Sequence, residues 1–376
     1  MPDKHSELFS PSASHTWIPC TASARLNAGK ERKSNPDADR GTMLHDFCFQ
    51  NFDEEWDLID FDSLGNDAKD AQSALKQAWE LQLMIDDPAN TRKETEVKVY
   101  EAEECFGTAD LIMYSTRDKH LLVADYKFGY NPVTAEMNPQ LLIYALGARR
   151  LFAATGIDQI TLAIIQPQRS DTPSLFTISQ EGLNQWMTQV FYPAYHAIKR
   201  NETKFEPGES QCKWCPSKND CPALMNEVVD LLNADTPPTE GMPWTERMRL
   251  AKLATLWAAA QEEALMDALQ AGIPCPGFKL VRGRSNRRWK DEEEAAKWLA
   301  ARGLKEKERY DFKVIGIPKA EEIVKGMDLS TKLKNSFERL IIKPEGKLTF
   351  APESDKREAV SVSDPLADEQ AELDEL

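Results

Sequence analysis

No stretch of this 376-residue sequence approaches the roughly 20 consecutive apolar residues that a membrane span needs, so no membrane partner is expected. The opening Met-Pro-Asp-Lys-His-Ser lacks a basic segment followed by an apolar one, which sets the expectation of a cytoplasmic protein. There is no Walker A pattern and no internal repeat, which excludes a P-loop motor and a solenoid; any motor activity would have to come from another protein. Positive charge is also in short supply. Against 62 Asp and Glu stand 46 Lys and Arg, a net charge of -16 that at first argues against a nucleic-acid partner. Its distribution weakens that argument, because residues 351–376 hold nine Asp/Glu and two Lys/Arg and so supply -7 of the total. Cysteines number seven, an odd count with three inside ten residues, which suits a reducing compartment with a bound metal or cluster better than a disulfide framework.

What is present is enough for two domains: 42.5 kDa with 41% hydrophobic residues. Residues 11–50 read as helical around a polar stretch from Lys30 to Arg40, and a second helix is expected over Ala68 to Ile85. Strand patterns follow at Thr95 to Tyr100, Gly107 to Tyr114 and His120 to Lys127, then a helix over Pro139 to Ala154, a strand at Gln159 to Gln166 and a helix over Glu181 to Arg200. Residues 233–244, rich in proline, read as a linker closing a first domain at residue 232. An accessory α+β domain is expected over 245–352, opening with an amphipathic helix from Thr245 to Ala271, and an acidic, disordered tail over 353–376.

Within the first domain the chemistry concentrates on one expected hairpin. Asp110 ends a strand, and Asp125-Tyr-Lys127 ends its neighbour after the polar turn Thr116-Arg117-Asp118. The two-residue period of a strand puts Asp125 and Lys127 on one face and leaves Tyr126 with only its backbone near them. Two carboxylates on adjacent strand ends make oxygen ligands for Mg²⁺ or Mn²⁺. Such an ion, with a lysine beside it, suits phosphodiester hydrolysis. A single Asp at a strand end is more often a turn former, and an Asp-x-Lys triplet arises by chance in most long chains.

The ordered set is far less ordinary, and it resembles a known family. Gly41-Thr-Met-Leu-His45 is similar to the G-x-x-x-H helix, Gly107-Thr-Ala-Asp110 to the G-x-x-D strand, Asp125-Tyr-Lys127 to the D-x-K strand and Gln140-Leu-Leu-Ile-Tyr144 to the Q-x-x-x-Y helix of the PD-(D/E)XK nucleases, specifically the RecB-like iron-sulfur branch. Within that branch the likeness is nearest to phage-encoded stand-alone exonucleases related to the CRISPR adaptation nuclease. Ala109 departs from the family's proline, which shapes the strand and ligates nothing.

The resemblance implies an α/β restriction-endonuclease-like core, a mixed central sheet flanked by helices, with a cysteine-ligated cluster and a smaller α+β C-terminal domain. It implies His45, Asp110, Asp125 and the carbonyl of Tyr126 as metal ligands, Lys127 as the residue that orients or helps deprotonate water, and Gln140 and Tyr144 as its helpers. His45 as a satisfied core histidine, and Gln140 and Tyr144 as helix packing, are the competing readings. Glu96, in the preceding strand, is a candidate aid to a second metal or a solvated strand charge.

Cys212-Lys-Trp-Cys215 and Cys221 form C-x2-C-x5-C, which resembles three ligands of the branch's 4Fe-4S cluster, with Cys20 in the place of the distant fourth. The spacing alone would equally allow structural Zn²⁺. Cys48, Cys105 and Cys275 read as small buried hydrophobes. The run from Phe278 to Lys290 carries six positive charges and no negative one, making Arg282, Arg284, Arg287 and Arg288 candidate phosphate contacts and Trp289 a stacking face; a solvated hairpin paired with Asp291 to Glu294 is the alternative. The function expected is a metal-dependent exonuclease acting on duplex ends or single strands of DNA, in the host cytoplasm if phage-encoded, alongside a single-strand annealing protein or recombinase. An end-binding recombination accessory protein with little nuclease activity, and a hydrolase acting on something other than DNA, are the alternatives.

Overall fold

A computed structural model describes residues 6–30, 36–85, 91–152, 156–232, 242–273, 275–278, 325 and 331. The chain divides into two compact units, Met1–Lys279 and Leu280–Leu376. In the second, Lys325 and Thr331 are exposed helical residues. The first is a mixed α/β unit built on a five-stranded sheet in the order β1-β2-β3-β4-β5. Its strands are β1 (Arg92–Val99), β2 (Ala102–Ser115), β3 (His120–Tyr126), β4 (Gln159–Ile165) and β5 (Ser174–Ser179). The first three form an antiparallel meander, β4 joins β3 in parallel, and β5 returns antiparallel to β4.

Parallel pairing of β3 with β4 demands a crossover, and a helix, α5 (Pro139–Ala148), supplies it. Its start is written locally: Pro139 occupies the first turn, and the Asn138 side chain accepts from the N–H groups of Gln140 at 3.1 Å and Leu141 at 3.3 Å. All residues from Leu141 to Ala148 are buried, as expected of a helix that is apolar around its whole circumference. Gly147 lets it approach β1 closely, since a Cβ there would lie 2.8 Å from Val97 Cβ and 3.2 Å from the Lys98 nitrogen.

The sheet separates two cores, and strand alternation assigns residues to each. Ile112, Tyr114, Leu121, Val123, Ile160, Leu162 and Ile164 face α5 and the N-terminal aromatics. Leu111, Met113, Leu122, Ala124, Ala163 and Ile165 face α3 (Pro36–Asn51) and α4 (Ala68–Ile85). In α4 the buried Ala71, Ala74, Leu75, Ala78, Leu81 and Ile85 recur at three- and four-residue steps, the stripe a helix needs to lie on a sheet. Burying each large aliphatic chain of this set stabilises the fold by about 1.5–3 kcal/mol.

Several elements differ from the sequence reading. The start of the chain is a 3-10 turn (Pro11–Ala13) and two short helices, α1 (Ser14–Trp17) and α2 (Ala22–Leu26), and Arg40, placed by the sequence in a polar loop, sits inside α3. The helix α5 ends at Ala148. Glu181 to Arg200 is α6 (Gln180–Trp186), a π turn (Met187–Phe191) and α7 (Tyr192–Lys199), a break that precedes Pro193, which has no N–H to continue the ladder. The strand β5 has no counterpart in the sequence reading. Two more helices, α8 (Glu209–Lys213) and α9 (Pro222–Leu232), follow, and α10 (Trp244–Gln270), expected to open the accessory domain, packs on both and belongs to the first compact unit. Residues 233–241 of the expected linker, the basic run from 279 to 290 with Arg282, Arg284, Arg287, Arg288 and Trp289, and the acidic tail lie outside the described residues. Among the described residues no helix is long and apolar enough to cross a membrane.

Gly147→Ala tests the contact between α5 and β1. Alanine favours a helix by about 1 kcal/mol, but the collision with Val97 should dominate, and urea unfolding should report a net loss of about 1–3 kcal/mol. Gly41→Ala in α3, where an added Cβ meets nothing within 4 Å, should be neutral or stabilising in the same measurement.

Candidate active site

The hairpin of β2 and β3 ends where the sheet loses its regular alternation. Ala109 and Leu111 are two residues apart yet belong to opposite cores, so the pattern slips at Asp110. Across from it, Lys93 pairs with Leu111 and Thr95 with Ala109, which leaves Glu94 facing Asp110. Glu94 has φ +40°, a left-handed conformation that costs energy in a residue other than glycine. The slip frees the Asp110 side chain to work between elements. Its Oδ2 accepts from the Tyr126 N–H at 2.8 Å, and its Oδ1 lies 2.9 Å from His45 Nε2. The other imidazole nitrogen, Nδ1, is 3.3 Å from Glu94 Oε1.

The second half of the group surrounds Asp125, which is only 3% exposed. Its Oδ2 is 2.6 Å from Lys127 Nζ, and its Oδ1 accepts from Gln140 Nε2 at 2.7 Å. Lys127 Nζ donates in turn to Gln140 Oε1 at 3.2 Å, and Gln140 Nε2 is 3.3 Å from the Tyr144 hydroxyl. A primary amide suits this place because one end accepts from an ammonium while the other donates to a carboxylate; glutamate would offer only acceptors. The six side chains picked from the sequence, His45, Asp110, Asp125, Lys127, Gln140 and Tyr144, therefore meet in two linked clusters. Of Tyr126, the N–H is the backbone group bonded to Asp110, while its ring enters the α3 and α4 core, stacked on Phe128 and edge-on to His45 at 6.0 Å.

The electrostatics favour positive charge. Burial pulls the His45 imidazolium down, but the bond to Asp110 and the charges of Asp110, Glu94 and Asp125 outweigh it and raise the ring to about 9. Asp125 is pushed up to about 6 by burial, opposed by the adjacent Lys127. For Lys127, burial acts against the charged form, and the carboxylates of Asp125 and Asp110 more than restore it. His45, Asp46 and Glu94 each place one ligand atom within 4.8 Å of the others, so a cation near His45 would find oxygen and nitrogen donors from α3 and β1.

Sequence reasoning missed three contributors. Glu94, not Glu96, reaches the site; Glu96 pairs with Lys98 at 3.3 Å. Cross-strand register could have found it, since Glu94 is the residue opposite Asp110. Arg40 anchors the helix that carries His45: Nε donates to Asp67 Oδ1 at 2.7 Å, Nη1 to the Phe128 carbonyl at 3.1 Å and Nη2 to Asp70 Oδ2. Asn138 fixes the first turn of α5 and with it Gln140.

The four expected cysteines, Cys20, Cys212, Cys215 and Cys221, line one cavity of about 20 Å³. All seven cysteines are free thiols. Burial raises the Cys20 thiol and pushes Cys212 up to about 11, and both are raised further by the neighbouring thiols of the set. N–H groups point at the sulfurs: Glu206 N–H at 3.5 Å from Cys20 Sγ and Gly208 N–H at 3.4 Å from Cys212 Sγ, with the Asn27 amide 3.5 Å from Cys215 Sγ. The same junction is also hydrogen-bonded directly. Lys204 N–H donates to Thr21 Oγ1 at 2.7 Å, Arg25 Nη2 to the Ile198 carbonyl at 2.9 Å and Ser217 Oγ to the Leu26 carbonyl at 2.8 Å. Cys48 and Cys105 are fully buried in the two cores, whereas Cys275, expected inside, is partly exposed.

Replacing Arg40 by leucine should lower stability by about 1–3 kcal/mol in urea unfolding, because two carboxylates and a carbonyl lose a charged donor together.

The crystal structure of SSO0001 is similar over 54% of this chain and 93% of its own, at 16% identity and a TM-score of 0.22, which is too distant to bear on fold or function. The profile of the family described as "Protein of unknown function (DUF2800)" matches residues 5–358, and the chain belongs to that family.

Proposed function

We propose that this protein is a Mg²⁺- or Mn²⁺-dependent deoxyribonuclease of the PD-(D/E)XK type, in its RecB-like branch, acting on DNA ends. The observation that carries the reading is the meeting of Asp110, Asp125, His45 and Lys127 at one end of a hairpin, with Gln140 bonded to both Asp125 and Lys127. His45, Asp110 and Asp125 would hold the divalent ion, with the Tyr126 carbonyl as a further ligand and Glu94 beside them. The donor set is hard and mostly oxygen, as Mg²⁺ or Mn²⁺ requires, and to serve as a ligand His45 would give up the proton it holds against Asp110. A bound divalent ion supplies the Lewis acidity that makes water nucleophilic near neutral pH and spreads charge on the phosphoryl oxygens.

The chain's own groups then divide the remaining work. Lys127, kept cationic by Asp125, presents an N–H to the attacking water or to the phosphoryl oxygen on which charge develops. Gln140 is a positioning residue that fixes both Lys127 and Asp125, and Tyr144 holds Gln140 in turn. Asp110 joins the two halves by gripping β3 through the Tyr126 N–H.

Cys20, Cys212, Cys215 and Cys221 would hold a 4Fe-4S cluster, with structural zinc as the alternative, and in either case its place between the N-terminal helices and the 204–221 segment makes it structural. The partner class is DNA, with a single-strand annealing protein or recombinase to use the product.

End-labelled duplex and single-stranded DNA incubated with Mg²⁺ or Mn²⁺ should be shortened, EDTA should abolish the reaction, and Lys127→Ala should slow it by about 10²–10⁴-fold. Equal degradation by the Lys127→Ala protein would remove the assignment. Iron and acid-labile sulfide analysis of anaerobically purified protein should find both elements, and Cys212→Ala should lose them and lower the melting temperature; zinc without sulfide would select the other metal.

A further inference from the structure

Between Lys127, just beyond β3, and Pro139, where α5 begins, the chain forms neither helix nor strand. Its course therefore decides where the ammonium of Lys127 meets the amide of Gln140. The Lys127 N–H still joins the parallel ladder, donating to the Ile165 carbonyl at 2.8 Å; beyond it, the one main-chain bond inside the segment runs from the Asn138 N–H to the Ala135 carbonyl at 3.2 Å. We propose that Gln166, the residue after β4, is the positioning residue that sets this segment and, through it, the placement of Lys127 relative to Gln140. The proposal rests on the nuclease reading above and adds to it a residue that touches none of the reacting groups.

Gln166 is only 6% exposed, although Gly129 and Asn131, which it holds, are exposed. Its Oε1 accepts from the Val133 N–H at 3.0 Å, and its Nε2 donates to the Gly129 carbonyl at 2.6 Å and to the Asn131 carbonyl at 2.7 Å. One amide thus satisfies three main-chain groups, two acceptors and a donor, that have no partner in a ladder. Only a primary amide offers two N–H groups beside a carbonyl, and asparagine is shorter by one methylene. The support is itself fixed, since the Gln166 carbonyl accepts from the N–H groups of Arg169 at 2.9 Å and Ser170 at 3.2 Å.

Other side chains hold the ends of the segment. Arg40 Nη1 donates to the Phe128 carbonyl at 3.1 Å, Ser174 Oγ accepts from the Ala135 N–H at 3.1 Å, and Asn138 Nδ2 donates to the Thr134 carbonyl at 3.0 Å. The middle belongs to Gln166. Met137, immediately before the cap of α5, has φ +48°, a left-handed conformation that costs energy in a residue other than glycine and persists only where its surroundings fix the chain. Without Gln166 that strain relaxes by shifting the start of α5, which moves Gln140 away from Asp125 and Lys127. A misplacement of about 1 Å from a change distant from the chemistry is enough to slow a reaction about 10²-fold.

The test is steady-state cleavage of end-labelled DNA by full-length protein with Mn²⁺, at a temperature below the melting range of every variant. Gln166→Met, of similar length but without these donors and acceptor, should lower kcat by about 10- to 100-fold and leave KM within about threefold of the parent. Gln166→Glu keeps the acceptor for Val133 but turns a carboxylate on two carbonyls, and burial favours the protonated form of such a group. That form has an O–H to give to one carbonyl, so the kcat of Gln166→Glu relative to the parent at the same pH should rise as the pH falls from about 8 to about 6. A side chain that only stabilised the fold would lower the melting temperature and leave kcat and that ratio unmoved. A ratio independent of pH, or a kcat for Gln166→Met within about twofold of the parent, would overturn the proposal and leave the nuclease reading standing, provided the unmutated protein cuts DNA. Gln166→Asn, too short to reach all three groups, takes the place of Gln166→Met, with the same two outcomes, if that protein does not fold. An unmutated protein that cuts no DNA would overturn both.

Discussion

Asp125 is a carboxylate almost wholly removed from water, and a buried charge must be paired or it protonates. Its surroundings answer to that constraint. Lys127 is obliged to return to the same face of the strand, Gln140 is held at the second oxygen, and α5 must begin where its first turn can deliver Gln140. That placement depends on Asn138 and Pro139 at the helix start and on Gly147 letting the helix lie directly over β1. The crossover that makes β3 and β4 parallel is thus the same element that neutralises the site.

The other half of the site is held by a different device. Asp110 spans two strands, gripping the Tyr126 N–H with one oxygen and His45 with the other, and it can do so only because strand alternation slips beside it. Glu94 carries the strained backbone on the facing strand. Arg40 then fixes the helix bearing His45 to α4 and to the carbonyl just beyond β3. Positive charge is distributed through the group as His45, Lys127 and Arg40, which offsets the repulsion among Glu94, Asp110, Asp125, Asp67 and Asp70.

Much of this was legible in the sequence, for identifiable reasons. Ala68 to Ile85 was found to the residue because its apolar stripe is long and periodic, and the three strands of the meander were found because they are short β-rich runs bounded by polar turns. Asp110, Asp125 and Lys127 could be placed because a hairpin fixes which residues meet at its open end. Glu94 was legible only through cross-strand register, which sets it opposite Asp110, because strand parity alone does not separate it from Glu96. The strand β5 escaped because its residues alternate between partly buried and exposed on a sheet edge and so give a weak apolar signal. The break in the helix after Trp186 could have been anticipated from Pro193. The place of α10 could not, since an amphipathic stripe says that a helix is covered but not by which segment.

The bonds that join Thr21, Arg25 and Leu26 to Lys204, Ile198 and Ser217 span more than 170 residues of chain. During synthesis α1 and α2 leave the ribosome before these partners, and at about 5–20 residues per second they wait of the order of ten seconds or more for them. Trp17 and Phe9 lack Phe191 and Tyr195 for nearly as long. The segment from Phe9 to Leu26 is therefore later to find its place than its position in the chain suggests, and through that interval its aromatic side chains are exposed to whatever else the cell offers them.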